Sequence, residues 1–206
     1  MKKRMLALAL MCCLSLVACQ KEEVLSETDA IQKQLVEMDG YTCNATLTRT
    51  SNKGDQVYET SQHYKSTGEY RLELIAPEAV AGNYTVFDGT RIAQYNPKLD
   101  EQIIKDVPES QHRNELFLGA FIENYMQSEG VGVEAAAIDE SKCIVLEAVI
   151  GGDSVLASEK LWVDRETYLP KRFVLYDANG NERYRLEYDN FTFNPEFPED
   201  IFTIEE

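Results

Sequence analysis

Histidine is scarce in this sequence, cysteine is sparse, and the side-chain pairings that catalysis needs are missing. His63 and His112 are the only two histidines; they stand far apart and no CxxC pair accompanies them, so zinc has no donor set. GxSxG, HExxH, a phosphate-cradling glycine loop and a histidine-centred triad are all absent. Carboxylates are plentiful enough that some pair falls at glycosidase separation by chance, which carries little weight. The expectation is therefore a protein that is not an enzyme and holds no metal or other cofactor. Positive charge is also short: 20 Lys and Arg face 36 Asp and Glu, a net charge of −16. Such a surface argues against nucleic acid and against flat adsorption on anionic lipid. It suits a basic protein partner, although acidity often serves only solubility. No internal repeat or low-complexity linker divides the chain, which leaves one domain with a sizeable core.

What is present begins at the N-terminus. Lys2, Lys3 and Arg4 precede an apolar run from Met5 to Val17 that only Ser15 interrupts. That run is shorter than the ~20 residues a bilayer span needs, and fits the core of an export signal. It ends in Leu16-Val17-Ala18-Cys19, which resembles the lipobox of bacterial lipoproteins. The resemblance implies a signal peptide over residues 1–18, cleaved before Cys19, and lipidation of the Cys19 thiol. Losing residues 1–18 removes three positive and no negative charges, taking −16 to −19. Residues 19–28 are polar and read as a lipidated tether. Several acyl chains hold a domain firmly at a membrane, so the mature protein is expected to be extracytoplasmic and lipid-anchored. No later segment is apolar enough to cross a bilayer.

Residues 29–206 carry the domain. Thr28 or Asp29 caps an expected helix from Ala30 to Met38, whose Ile31, Leu35 and Met38 form one stripe. Alternation then takes over, the mark of strands with one face buried. Tyr41, Cys43, Ala45, Leu47 and Arg49 share a face, and a turn at Asn52-Lys53-Gly54-Asp55 leads to a return strand through Lys65. Further strands are expected at Tyr70–Ile75, Tyr84–Phe87, Arg91–Tyr95 and Gln102–Val107, with Asp88-Gly89 forming a tight type I′ turn. A second helix is expected from Asn114 to about Ser128, bounded by Gly130 and Gly132. Leu118, Ile122 and Tyr125 line one side of it, with Phe117 and Phe121 adjacent. Cys143–Ile150 turns at Gly151-Gly152-Asp153 into Ala157–Asp164, and Pro170–Tyr176 turns at Asn179-Gly180 into Glu182–Phe193. Eight or nine strands and two helices imply an α+β fold, a strongly curved antiparallel sheet wrapped around a helix as an unclosed half-barrel. Cys43 and Cys143 either pair as a disulfide or sit as buried small apolar residues.

The C-terminal third carries a family resemblance. Leu161-Trp162-Val163-Asp164, Thr167-Tyr168-Leu169-Pro170-Lys171 and Tyr176-Asp177 with Asn179-Gly180 resemble the periplasmic lipoprotein-carrier superfamily of the LolA, LolB and RseB type. So do Tyr188-Asp189-Asn190-Phe191-Thr192-Phe193-Asn194 with Phe197-Pro198 and Ile201-Phe202, and the earlier Phe87-Asp88-Gly89-Thr90-Arg91-Ile92 with Tyr95-Asn96-Pro97. Order and spacing together most resemble the sporulation and germination lipoproteins of the GerS and YdcC types, over roughly residues 30–204.

Two functions follow. The resemblance to germination lipoproteins implies a membrane-anchored scaffold that binds a cortex-modifying amidase of the CwlD type, the chemistry belonging to the partner. Exposed sheet edges suit such docking and also pairing into a homodimer. The wider superfamily implies instead a carrier or receptor for a lipid, acyl chain or lipoprotein. Its candidate cavity lining is Phe117, Phe121, Ile122, Tyr125 and Trp162, residues that serve equally well as a filled core. Trp162, the single tryptophan, reads as a core or sheet-face anchor.

Overall fold

The computed structural model describes residues 27–108, 114–128, 132–152 and 155–205. Residues 1–26, and with them Cys19 and most of the tether, lie outside the described residues, as do His112, Gly130 and Asp153. The alternating segments become β1 (Gly40–Ser51), β2 (Gly54–Lys65), β3 (Tyr70–Ala76), β4 (Tyr84–Phe87), β5 (Arg91–Asn96) and β6 (Glu101–Asp106), followed by β7 (Val133–Ile138), β8 (Ser141–Val149), β9 (Ser158–Asp164), β10 (Pro170–Tyr176) and β11 (Glu182–Phe193). They form one open antiparallel sheet of 11 strands in the order β6-β5-β4-β3-β2-β1-β11-β10-β9-β8-β7. Two meanders therefore meet at β1 and β11, where Leu47 faces Leu186 and Arg49 faces Tyr184. The register slips between Thr42 and Asn44 at this seam. Opposite lies Asn190 at φ 50, and such a bulge bends a strand and strengthens its twist.

The sheet has 11 strands, more than the eight or nine expected, and the element not foreseen is β7. Its Glu134-Ala135-Ala136-Ala137 lacks the β-branched and aromatic residues that announce a strand; pairing with β8 from Val133↔Leu146 to Ile138↔Ser141 makes it one. The turn after β4 also differs. Phe87 pairs with Ile92, and of the intervening residues Gly89 alone has positive φ, so this is not a type I′ turn. Instead Asp88 Oδ1 accepts from the Thr90 and Arg91 N–H groups at 2.9 and 2.7 Å, a side-chain mimic of a backbone turn. The β10–β11 loop works alike, with Asp177 Oδ1 accepting from the N–H groups of Asn179 and Asn181 and Gly180 at φ 78.

Both helices cross the concave face. The first, α1, covers residues 27–36, so Thr28 and Asp29 are helical rather than caps and the folded part takes in Glu27. Its start is tied down by Arg165, whose Nε and Nη2 donate to the two Glu27 carboxylate oxygens at 2.6 and 2.9 Å. It stops short of Met38 because Asn194 captures the chain, accepting from the Asp39 N–H at 2.8 Å. The second, α2, runs from Leu118 to Gln127, four residues later than the expected Asn114. Phe117 is extended at φ −112 and ψ 147 because its ring is held by the sheet, stacked 4.5 Å from Tyr70 and 5.8 Å from Tyr64.

The main core lies between these helices and the inner face of the sheet, where Ile31, Leu35, Tyr41, Phe121, Leu146, Leu161, Phe173 and Leu186 are buried together. A smaller cluster sits on the outer face, where Ile204 of the C-terminal tail packs on Val86 and Ala93. Cys43 and Cys143 are both buried and unpaired. Four strand spacings separate β1 from β8, roughly 19 Å, well beyond the ~7 Å Cα separation a disulfide spans.

Candidate functional site

The concave face divides into a covered half and an open half. Over β1, β2 and β8–β11 the helices sit directly on the sheet. Gly119 makes the approach feasible: a Cβ there would stand 1.7 Å from Tyr64 Oη. Leu118 N–H donates to Tyr41 Oη at 3.3 Å, and Tyr41 Oη donates to Gln62 Oε1 at 3.2 Å. Asn124 Nδ2 donates to Glu159 Oε1 at 2.8 Å. Burial drives the Tyr41 and Tyr188 phenols well above their usual range. It also pushes the Glu159 carboxyl up to about 7, partly offset by the Asn124 bond. Tyr188 Oη and Gln62 Nε2 have no hydrogen-bond partner among the described residues.

The other half, the wing of β3–β6, carries no helix across its inner face among the described residues. Leu72 stands in register with Thr85, then Gln94 and Ile103, and Ile103 is 56% exposed. Three adjoining hollows make one trough along this wing. A mouth of about 660 Å³ is lined by Tyr64, Ser66, Tyr70, Phe87, Ile92 and Lys105. It shares Tyr70 with a middle section of about 240 Å³ walled by Leu116, Phe117 and Tyr184. That section shares Leu72 and Thr85 with an outer section of about 390 Å³ that reaches Leu74, Leu99 and Ile103. Carboxylates bear on the interior: besides burial, the charge of Glu123 helps raise Tyr64 to about 12, and that of Glu115 helps raise Tyr70 to about 12.

Of the residues singled out from sequence, Phe117, Phe121 and Tyr125 are buried in the main core with Ile122 packed at its edge. Phe121 contacts the Phe173 and Tyr125 rings, so these aromatics fill the covered half. Only Phe117 also reaches the trough wall. Trp162 is not brought to them. Its neighbours Leu161 and Val163 point into the core, so alternation turns Trp162 to the outer face, half-buried, in register with Val145 and Arg172. The Arg172 guanidinium lies 5.8 Å from its ring centroid and donates to Glu187 at 2.7 Å. The trough residues Leu72, Leu74, Ile92 and Ile103 were not singled out; the signal was the apolar alternation of β3, β5 and β6, which by itself does not say which face stays uncovered. Among the described residues no cluster of His, Cys, Asp and Glu could hold a metal ion, and no helix is long and apolar enough to cross a membrane.

Solved structures with this fold include an uncharacterized conserved protein from Thermus thermophilus, at 15% identity and a TM-score of 0.54 over 91% of this chain and 94% of that one. MucB is similar at 13% identity and a TM-score of 0.51, covering 87% of this chain and 63% of that one. The GerS lipoprotein of Clostridioides difficile, solved in complex with the CwlD amidase, is 28% identical over 81% of this chain and 94% of that one, with a TM-score of 0.49. No curated protein matches. The profile of the family described as sporulation protein YdcC-like spans residues 1–202, nearly the whole sequence, and the chain belongs to that family.

Proposed function

We infer that this sporulation-family protein is a non-enzymatic adaptor, held extracytoplasmically at a membrane by lipid on Cys19, that binds a cortex-modifying amidase and leaves the chemistry to it. Family membership supports the sporulation setting, and the amidase as partner rests on the resemblance of the C-terminal motifs to the GerS type. The observation that carries a binding role is the uncovered wing of β3–β6, a built concave surface with apolar side chains left exposed. Its position suits an anchored protein. The turns after β2 and β4 lie at the same end of the sheet as Arg165, to which Glu27 is paired. The trough mouth, lined by Ser66, Gly68 and Gly89, thus opens at the end of the sheet at which the tether joins the domain, several strands away from it. From Cys19 to Glu27 the chain spans at most roughly 28 Å.

Two measurements test this. Affinity purification at native level from sporulating cells should recover an amidase in amounts comparable to the bait; repeated recovery of no protein partner refutes the adaptor. Cys19→Ala should move the folded protein from the detergent phase to the aqueous phase, and a variant that stays in the detergent phase refutes the anchor. The second reading, a lipid carrier or receptor, draws on the apolar trough floor. Native mass spectrometry that finds stoichiometric lipid, with no amidase in the purification, would put it first.

A further inference from the structure

The trough has a chemical polarity of its own. Leu72, Leu74, Ile92 and Ile103 supply the apolar part of a floor along the inner faces of β3, β5 and β6, with Thr85 and Gln94 between Leu72 and Ile103. Among the described residues that line it, the charged ones are Glu101, Asp106, Glu115 and Glu123 and one ammonium, that of Lys105. Three of the four carboxylates stand at different levels, Glu123 at the mouth, Glu115 on the helix-side wall and Glu101 at the far end. A cleft lined by one sign of charge concentrates ligands of the other sign. The wing also ends in β6, the last strand of the sheet on this side, so one row of backbone N–H and C=O groups faces outward for a further strand.

We propose that the trough binds an extended, basic amphipathic segment of a protein partner, its apolar side chains on the Leu72–Ile103 floor and its lysines or arginines against Glu101 and Glu123. Alternation in such a strand puts every second side chain on the floor and the others at the rim. The carboxylate rim repels anionic headgroups and free fatty-acid carboxylates, which places a cationic peptide ahead of a lipid. This rests on the adaptor reading and names the chemistry by which the partner is held.

The test uses the full chain purified from membranes in phosphatidylcholine nanodiscs, with fluorescent ten-residue peptides alternating Leu-Lys, Leu-Glu or Ser-Lys. Leu-Lys should bind roughly tenfold or more tightly than either comparator, and the preference over Leu-Glu should shrink as salt rises. Leu74→Ser with Ile103→Ser should weaken Leu-Lys binding by about tenfold while circular dichroism and melting stay near those of the parent. Glu101→Gln with Glu123→Gln should weaken it too, whereas Glu199→Gln, exposed on the outer tail, should leave it unchanged. Equal binding of Ser-Lys, or binding indifferent to the floor variants, overturns the proposal. So does a phospholipid that fills the trough and excludes the peptide. An amidase still recovered by the Leu74→Ser, Ile103→Ser chain would leave the adaptor standing and sink the trough; peptide binding without amidase recovery would do the reverse.

Discussion

Asn124 Nδ2 and Glu159 Oε1 meet at 2.8 Å across the interface of α2 and β9, and Glu159 is 1% exposed. This carboxyl lies on the inner face of β9, between Leu175 of β10 and Ala148 of β8. Desolvation disfavours its ionised form, and one amide donor compensates only in part.

The first prediction follows from that burial. Glu159 moves from 4.5 to about 7 on folding, so between those values the folded chain keeps a proton that the unfolded chain releases. Stability therefore falls as pH rises through this window and levels off above it. Glu159→Gln keeps an acceptor for Asn124 and removes the titration. The variant should be more stable than the parent at pH 8, by up to about 3 kcal/mol, with the difference shrinking toward pH 4.5. Paired melts over this range decide; a gap that does not change with pH rules the account out.

Gly119→Ala should loosen α2 from the sheet. Its new Cβ would meet Tyr64 Oη at 1.7 Å and Tyr64 Cζ at 2.2 Å, and moving Tyr64 aside would disturb its ring contacts with Phe117 and Tyr41. Overpacking of this kind costs about 1–3 kcal/mol. Denaturant titration should show a lower midpoint at an unchanged slope. An Ala variant as stable as the parent would contradict the packing described.

Glu27 and Arg165 should behave as one unit. Their forked pair is partly buried, and a planar guanidinium matches a carboxylate where an ammonium does not. Arg165→Ala or Glu27→Ala should each cost about 1–2 kcal/mol, Arg165→Lys should recover less than half, and the double variant should cost little more than either single one. Strict additivity in that cycle would show that the two residues act separately.

The thiols of Cys43 and Cys143 should be inert in the folded protein. Both are buried, and desolvation raises each of them away from the reactive thiolate. A thiol reagent should label neither until denaturant is added, and then both. Rapid labelling of the native chain, or a disulfide between them under non-reducing conditions, would refute this.

Local chemistry written along the chain was legible without coordinates. Alternation from Tyr41 to Leu47 assigned the buried face of β1, and Asn179-Gly180 marked the β10–β11 hairpin, because both are settled by residues a few positions apart. The stripe of Ile31, Leu35 and Met38 reached the core as expected even though its helix ends earlier. β7 was missed because Ala135 to Ala137 become a strand only through a neighbour already in place. The ends of α1 and α2 shifted for the same kind of reason: Arg165 and Asn194, and the rings of Tyr64 and Tyr70, are far from those helices in sequence.

By itself, then, the sequence determined the antiparallel class, most strands, the buried face of β1 and the family resemblance, since these depend on side-chain period and turn residues. Tertiary structure alone decided that β1 meets β11, that Trp162 faces outward with Arg172, and that the helices cover one half of the concave face. A period of two separates the faces of a strand but does not say which one a helix will cover. That choice depends on contacts such as Gly119 against Tyr64 and Asn124 against Glu159, and it is what leaves the β3–β6 trough open.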